Sequence, residues 1–171
     1  MKKVSRFLVL ALVLSFMFST VAFAAEFDLT SEYVEELTEQ QSGGVVKAPA
    51  PQLTQMYVYA VVSDDAGLEY INNSSSSYVV STTDDHGGNT LYVYVLEIGY
   101  AGNRTATFNG NPMTMSDLIP VDINSDSIVD GYLVEWKYTD NAGFNSGYFS
   151  ATSKSINYPY TQKNIYNFRI R

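Results

Sequence analysis

The residues with the most chemical potential lie in VDINSDSIVDG, Val121 to Gly131. Asp122, Asn124, Asp126, Ile128 (through its carbonyl) and Asp130 take the first, third, fifth, seventh and ninth places of a loop. Ca²⁺ is a hard cation that takes six to eight oxygens, and a tight loop can supply them from alternate side chains and one carbonyl. The spacing D-x-[DN]-x-[DN] opens such a loop. Two features depart from that pattern. Ser127 stands sixth, where Gly makes the sharp turn, and Leu133 stands twelfth, where a bidentate Glu completes the shell. Leu133 also falls in a strand pattern, so this is an EF-like loop feeding a strand and not a helix-loop-helix hand. Two readings stay open: a weak extracellular Ca²⁺ site, with Kd about 10⁻⁴ to 10⁻³ M, or a polar turn whose Asp and Asn side chains bond their own backbone.

The single histidine is His86, in TTDDHGGN. A carboxylate from Asp84 or Asp85 could orient the imidazole and raise its basicity, as a general base requires. Gly87 and Gly88 would let backbone N–H groups approach a ligand closely. The plainer reading is a turn whose Asp, Gly and Asn serve the backbone. Glu69, Glu97 and Glu135 could supply the paired carboxylates of a glycosidase, but no spacing pairs them. Glu97 shares a strand face with Val93 and Val95, which points it toward a core or a sheet rim. There is no H-E-x-x-H, no G-x-S-x-G and no Gly-rich phosphate loop. The catalytic list therefore stays short: His86 with Asp84, Asp85 and Glu97 as weak candidates, and no organic cofactor.

Certain elements must position these groups, and the chain has to be delivered first. Lys2, Lys3 and Arg6 precede an apolar run, Phe7 to Phe18, too short for the ~20 residues that cross a bilayer. Ala22-Phe23-Ala24 is a small-x-small cleavage site. Residues 1–25 read as a signal peptide, so the mature chain is expected outside the cell and without stable membrane insertion. Beyond residue 25 there are seven basic residues against eighteen acidic ones, a balance that disfavours nucleic acid and anionic lipid. With no Cys, an exported domain must be held by its core or by an ion.

Residues 26–52 form an acidic segment and a linker. Leu29, Tyr33 and Leu37 make a short helical stripe, which would be a docked helix or a frayed acidic tail. SGGVVKAPAPQ then reads as a flexible and finally extended connection. Residues 53–171 read as one domain. MYVYAVV and LYVYVLEIGY are apolar at both parities, as central strands covered on both faces are. Asn109-Gly110 marks a hairpin. GYLVEWKY alternates, with Tyr132, Val134, Trp136 and Tyr138 facing inward. SGYFSATS and NIYNFRIR add strands, the latter with Tyr166, Phe168 and Ile170 inward, and Tyr78 to Thr82 a short one. Seven or eight short strands without a convincing helix predict an all-β antiparallel sandwich, with a small β-barrel as the alternative.

The Pro/Ala lead-in, GLEYI, DHGG followed by a strand ending EIGY, and the Asp loop together resemble the YolA-like family of small exported bacterial proteins, over roughly Pro49 to Tyr138. The resemblance implies secretion and a β-rich domain. It lends no catalytic residues. The expectation is a secreted, non-enzymatic module with a Ca²⁺ loop, binding an extracellular glycan or protein. The fourteen Tyr suit either ligand. The rival is a small hydrolase built on His86.

Overall fold

The computed structural model describes residues 51–71 and 79–171. The signal peptide, the acidic segment and the start of the Tyr78 to Thr82 strand lie outside these residues. Nine strands follow one another: β1 Gln55–Ser63, β2 Gly67–Tyr70, β3 Gly88–Ile98, β4 Ala101–Phe108, β5 Asn111–Pro112, β6 Thr114–Val121, β7 Gly131–Phe144, β8 Gly147–Ser155 and β9 Gln162–Ile170. They form two antiparallel sheets, ordered β2-β1-β3-β7-β6 and β5-β4-β8-β9. The sheets do not close on each other, so the architecture is a sandwich and the barrel is set aside. In the described part of the Tyr78 to Thr82 segment, residues 79–82, Ser81 forms one parallel bridge to Arg169.

The core lies between the sheets. Val93, Val95, Val134 and Trp136 from one side meet Phe108, Phe149, Phe168 and Ile170 from the other. Burying each large side chain contributes about 1.5–3 kcal/mol. The alternation of β7 points Val134 and Trp136 inward as its sequence indicates. In β3 the opposite parity is buried as well: Leu96 pairs with Leu133, and Leu133 with Ile119, and all three are buried outside the inter-sheet core. That second layer is why these strands are apolar at both parities.

Two bulges set which side chains point inward. Tyr59 is an extra residue between the Val58–Val95 and Ala60–Tyr94 pairs. The inward face of β1 thereby changes from Met56 and Val58 to Val61 and Ser63. A bulge inserts one residue and re-aims everything after it. In β9 the register slips between the Phe168–Phe149 and Ile165–Ala151 pairs. Asn167 takes φ 52° there and donates its N–H to Ser150 Oγ at 3.1 Å. Tyr166 is consequently turned out and is 74% exposed, against its predicted inward place; Ile165 packs on the core instead. The Asn109-Gly110 hairpin forms as expected, with φ 50° and 78°.

Candidate functional site

His86 sits near the end of the sandwich where β1 finishes and β3 begins. It is 1% exposed. Its Nδ1 lies 2.9 Å from Ser63 Oγ and its Nε2 3.1 Å from Glu69 Oε2. An ionised carboxylate only accepts, so Nε2 carries hydrogen and donates to Glu69. With a neutral ring, Nδ1 then accepts the Ser63 hydroxyl proton, and Ser63 Oγ itself accepts Ala66 N–H at 3.2 Å. The result is a serine–imidazole–carboxylate chain assembled from β1, the β3 approach and β2.

The carboxylate that reaches the ring is Glu69, not Asp84 or Asp85, both of which are exposed. Glu69 also accepts Thr83 N–H at 2.7 Å and Asp84 N–H at 3.0 Å. Burial pulls the Glu69 carboxyl up, but those two N–H groups and the His86 ring outweigh it and hold the group below its ordinary value. The same segment is stitched to the end of β9. Thr82 N–H donates to Arg169 O, His86 N–H to Arg171 O, and Arg171 N–H to Thr82 Oγ1.

The glycines beside His86 admit the protein's own chain. A Cβ on Gly87 would stand 2.6 Å from Asp65 Oδ2, and one on Gly88 2.6 Å from Asp64 Cβ. Asp64 Oδ2 in turn accepts Asn89 N–H and Thr90 N–H, each at 2.8 Å. The β1–β2 turn thus occupies the space in which a ligand-approaching backbone was expected.

Glu97 faces inward beside Val93 and Val95, and is 1% exposed. Arg104 from β4 donates Nε–H at 3.0 Å and Nη2–H at 2.8 Å to its Oε2, and Ser153 from β8 donates to its Oε1 at 2.5 Å. The Arg104 guanidinium also lies over the Tyr132 ring at 5.7 Å, and Tyr132 meets Tyr100 edge-on at 5.2 Å. Glu97 is therefore a clamp between the sheets and not part of an acid pair with His86.

In the Asp loop, Asp122 Oδ2 accepts Ser127 N–H at 2.7 Å and its Oδ1 accepts Asp126 N–H at 3.3 Å. Asn124 Oδ1 accepts Asp126 N–H, Asp126 Oδ1 accepts Ile128 N–H, and Asp130 Oδ2 accepts Ile123 N–H. Ser127 adopts φ 66°, the left-handed conformation that Gly would take there. Among the described residues no three His, Cys, Asp or Glu converge as a metal ion requires.

Charge is divided between the sheets. β4, β5, β8 and β9 contain no Asp or Glu and carry Arg104, Lys154, Lys163 and Arg169. The acidic residues of the sandwich belong to the five-stranded sheet and the loops around it. A cleft of about 360 Å³ opens between β1 and β9, with Met56, Val58, Ile165 and Phe168 in its wall; none of Ser63, Glu69 and His86 lines it.

Sequence reasoning did not find Ser63, Arg104 or Ser153, and it named Glu69 only as an available carboxylate, not as the partner of His86. Each joins its cluster through pairing across strands, and no local spacing announces that. A family model described as a domain of unknown function (DUF4879) matches residues 48–170. No curated protein matches the chain.

Proposed function

The chain belongs to the DUF4879 family, and from that premise we propose that it is a secreted, non-enzymatic module that binds an extracellular ligand. One observation carries this reading. The ionisable groups at both inner clusters are engaged by the protein itself: buried His86 at both ring nitrogens, buried Glu97 by Arg104 and Ser153, and half-buried Glu69 by two backbone N–H groups and His86. A general base needs a substrate proton within hydrogen-bond reach, and a ring 1% exposed whose two nitrogens are already hydrogen-bonded to Ser63 and Glu69 has no nitrogen left for one. The leader and the resemblance to YolA-like exported proteins support secretion.

The Ser63–His86–Glu69 chain supports a second reading, a hydrolase with Ser63 as nucleophile, since a hydroxyl, a base and an orienting acid are in contact order. The two readings separate with a fluorophosphonate probe and p-nitrophenyl ester turnover on the exported protein. The binding reading expects no labelling and no turnover. Labelling or turnover that disappears in Ser63→Ala establishes the hydrolase instead. N-terminal sequencing of protein recovered from the medium tests the leader; a mature chain beginning at or next to Ala25 is expected.

A further inference from the structure

We infer that the outer face of the four-stranded sheet is the ligand-binding surface and that it takes an acidic polysaccharide. The inference rests on the binding-module reading and gives it a place and a ligand class. The four-stranded sheet carries no carboxylate, in a chain with eighteen acidic residues. On an acidic protein, an acid-free face is a surface that does not repel an anionic partner. Its outward side chains are fixed by register. Phe108, Phe149, Ala151 and Ser153 point inward, so the residues between them point out. One cross-strand rung is Thr105, Thr152 and Asn164, with Thr152 Oγ1 donating to Asn164 Oδ1 at 2.9 Å. Hydroxyls and amides on a sheet surface pair with sugar hydroxyls. Two exposed cations bracket that rung along β8: Lys154 on one side, and Arg169, paired with Tyr148, on the other. Tyr148 and Lys154 stand six positions apart, roughly 20 Å of strand, so the two charges suit a polymer with repeated acidic groups better than a small anion. Tyr148 is 54% exposed and presents a ring on which a sugar face can stack.

The same features argue against other anionic partners. Proteins that hold nucleic acid through phosphates typically make about six to ten such contacts, and this face has two exposed cations. An interfacial surface needs a continuous apolar face to enter the bilayer, and this one is hydroxyl and amide between Tyr148 and Lys154.

The test is affinity electrophoresis of the mature chain in gels containing polygalacturonate, alginate or neutral dextran. Retardation by at least one acidic polymer and not by dextran is expected, falling as salt rises. Lys154→Glu/Arg169→Glu should weaken it about tenfold or more, because attraction is replaced by repulsion, and Tyr148→Ala should weaken it less. Lys137→Gln, on the other sheet, should leave it unchanged. Both reversed positions point outward, and an unchanged thermal midpoint confirms that the variants fold. Binding to dextran alone, binding to none of the polymers, binding that survives the charge reversal, or equal retention on phosphatidylglycerol vesicles or DNA overturns the inference. If wild type depolymerises the polymer, as reducing ends would reveal, the non-enzymatic reading fails while the assignment of the face stands.

Discussion

The two ends of the sandwich each join a glutamate to a buried serine and a nitrogen base, with Glu97 buried and Glu69 half-buried, and they use the trio in opposite ways. Toward one end Glu97 is the centre. It lies between the sheets, and Arg104 and Ser153 reach it from the opposite layer. At the other end His86 is the centre, with Ser63 and Glu69 on either side of the ring. Glu69 also ties down backbone N–H groups, which Glu97 does not. The first trio joins two sheets. The second joins a loop to β1 and β2, and through Arg171 and Thr82 to the end of β9. Similar residue types therefore imply no common chemistry: what each carboxylate does is decided by which donors lack a partner nearby.

That difference predicts unequal damage. Arg104→Met should be the most destabilising change, because it leaves Glu97 buried and uncompensated; breaking one partner of a buried ion pair costs about 3–5 kcal/mol. The double change Glu97→Leu/Arg104→Met should recover most of the loss, since a buried pair replaced by apolar groups of similar volume is often neutral or better. Urea unfolding of the three proteins checks this. If the single and double variants are equally unstable, the loss does not come from an uncompensated charge on Glu97.

His86→Ala should cost less, about 1–3 kcal/mol for leaving Ser63 and Glu69 partly unsatisfied. Its effect should be local. Hydrogen exchange should quicken in residues 82–88 and at the end of β9, while Arg104 and Ser153 stay protected. Uniform loss of protection across both ends would erase the distinction between a loop clamp and a sheet clamp.

The two regions also differ in how far the sequence reveals them. The β3 pattern puts Glu97 on the face of Val93 and Val95, which leaves a sheet rim or the core open, and the structure places it in the core at 1% exposure. Its partners are not legible, because Arg104 and Ser153 belong to strands of the other sheet and no periodicity records which sheet a strand joins. His86 was legible as a histidine in a turn that a neighbouring carboxylate could orient, but its partners Ser63 and Glu69 were not. The bulge at Tyr59 decides that Ser63 faces inward, and one extra residue in β1 leaves no mark in composition. The same physics moved Tyr166 out of its expected inward place. Core strands, the Asn109-Gly110 hairpin and the sandwich class were legible because they depend on alternation and turn chemistry. The clusters depend on register, which is set by tertiary packing.

The Asp loop extends the comparison to a third region, where the carboxylates are engaged by backbone alone. Asp122→Ala should cost about 1 kcal/mol, the usual worth of a side chain that caps backbone N–H groups. With those oxygens already engaged, Ca²⁺ into the millimolar range should leave the thermal midpoint unmoved. A ligand at about 100 times its Kd would stabilise by ~2.7 kcal/mol. A Ca²⁺-selective rise, absent with Mg²⁺ and lost in Asp126→Ala, would return the loop to the cation reading.

The smallest effect should come from pH and should single out the His86 end. The carboxyl of Glu69 is held below its ordinary value. A depressed carboxyl stabilises the fold above its unfolded pKa, about 4.3 for Glu. That contribution is lost as pH falls through the folded value. Glu69→Gln removes the charge that accepts Thr83 N–H, Asp84 N–H and the His86 ring proton. The variant should therefore melt below wild type at neutral pH, and the two melting curves should converge as the solution becomes more acidic than the folded pKa. Convergence is the diagnostic part, because a packing defect from the substitution would persist at every pH. A constant gap across the acid range would make Glu69 a neutral spacer, and the loop from Thr82 to His86 would then be held by its bonds to β9 alone.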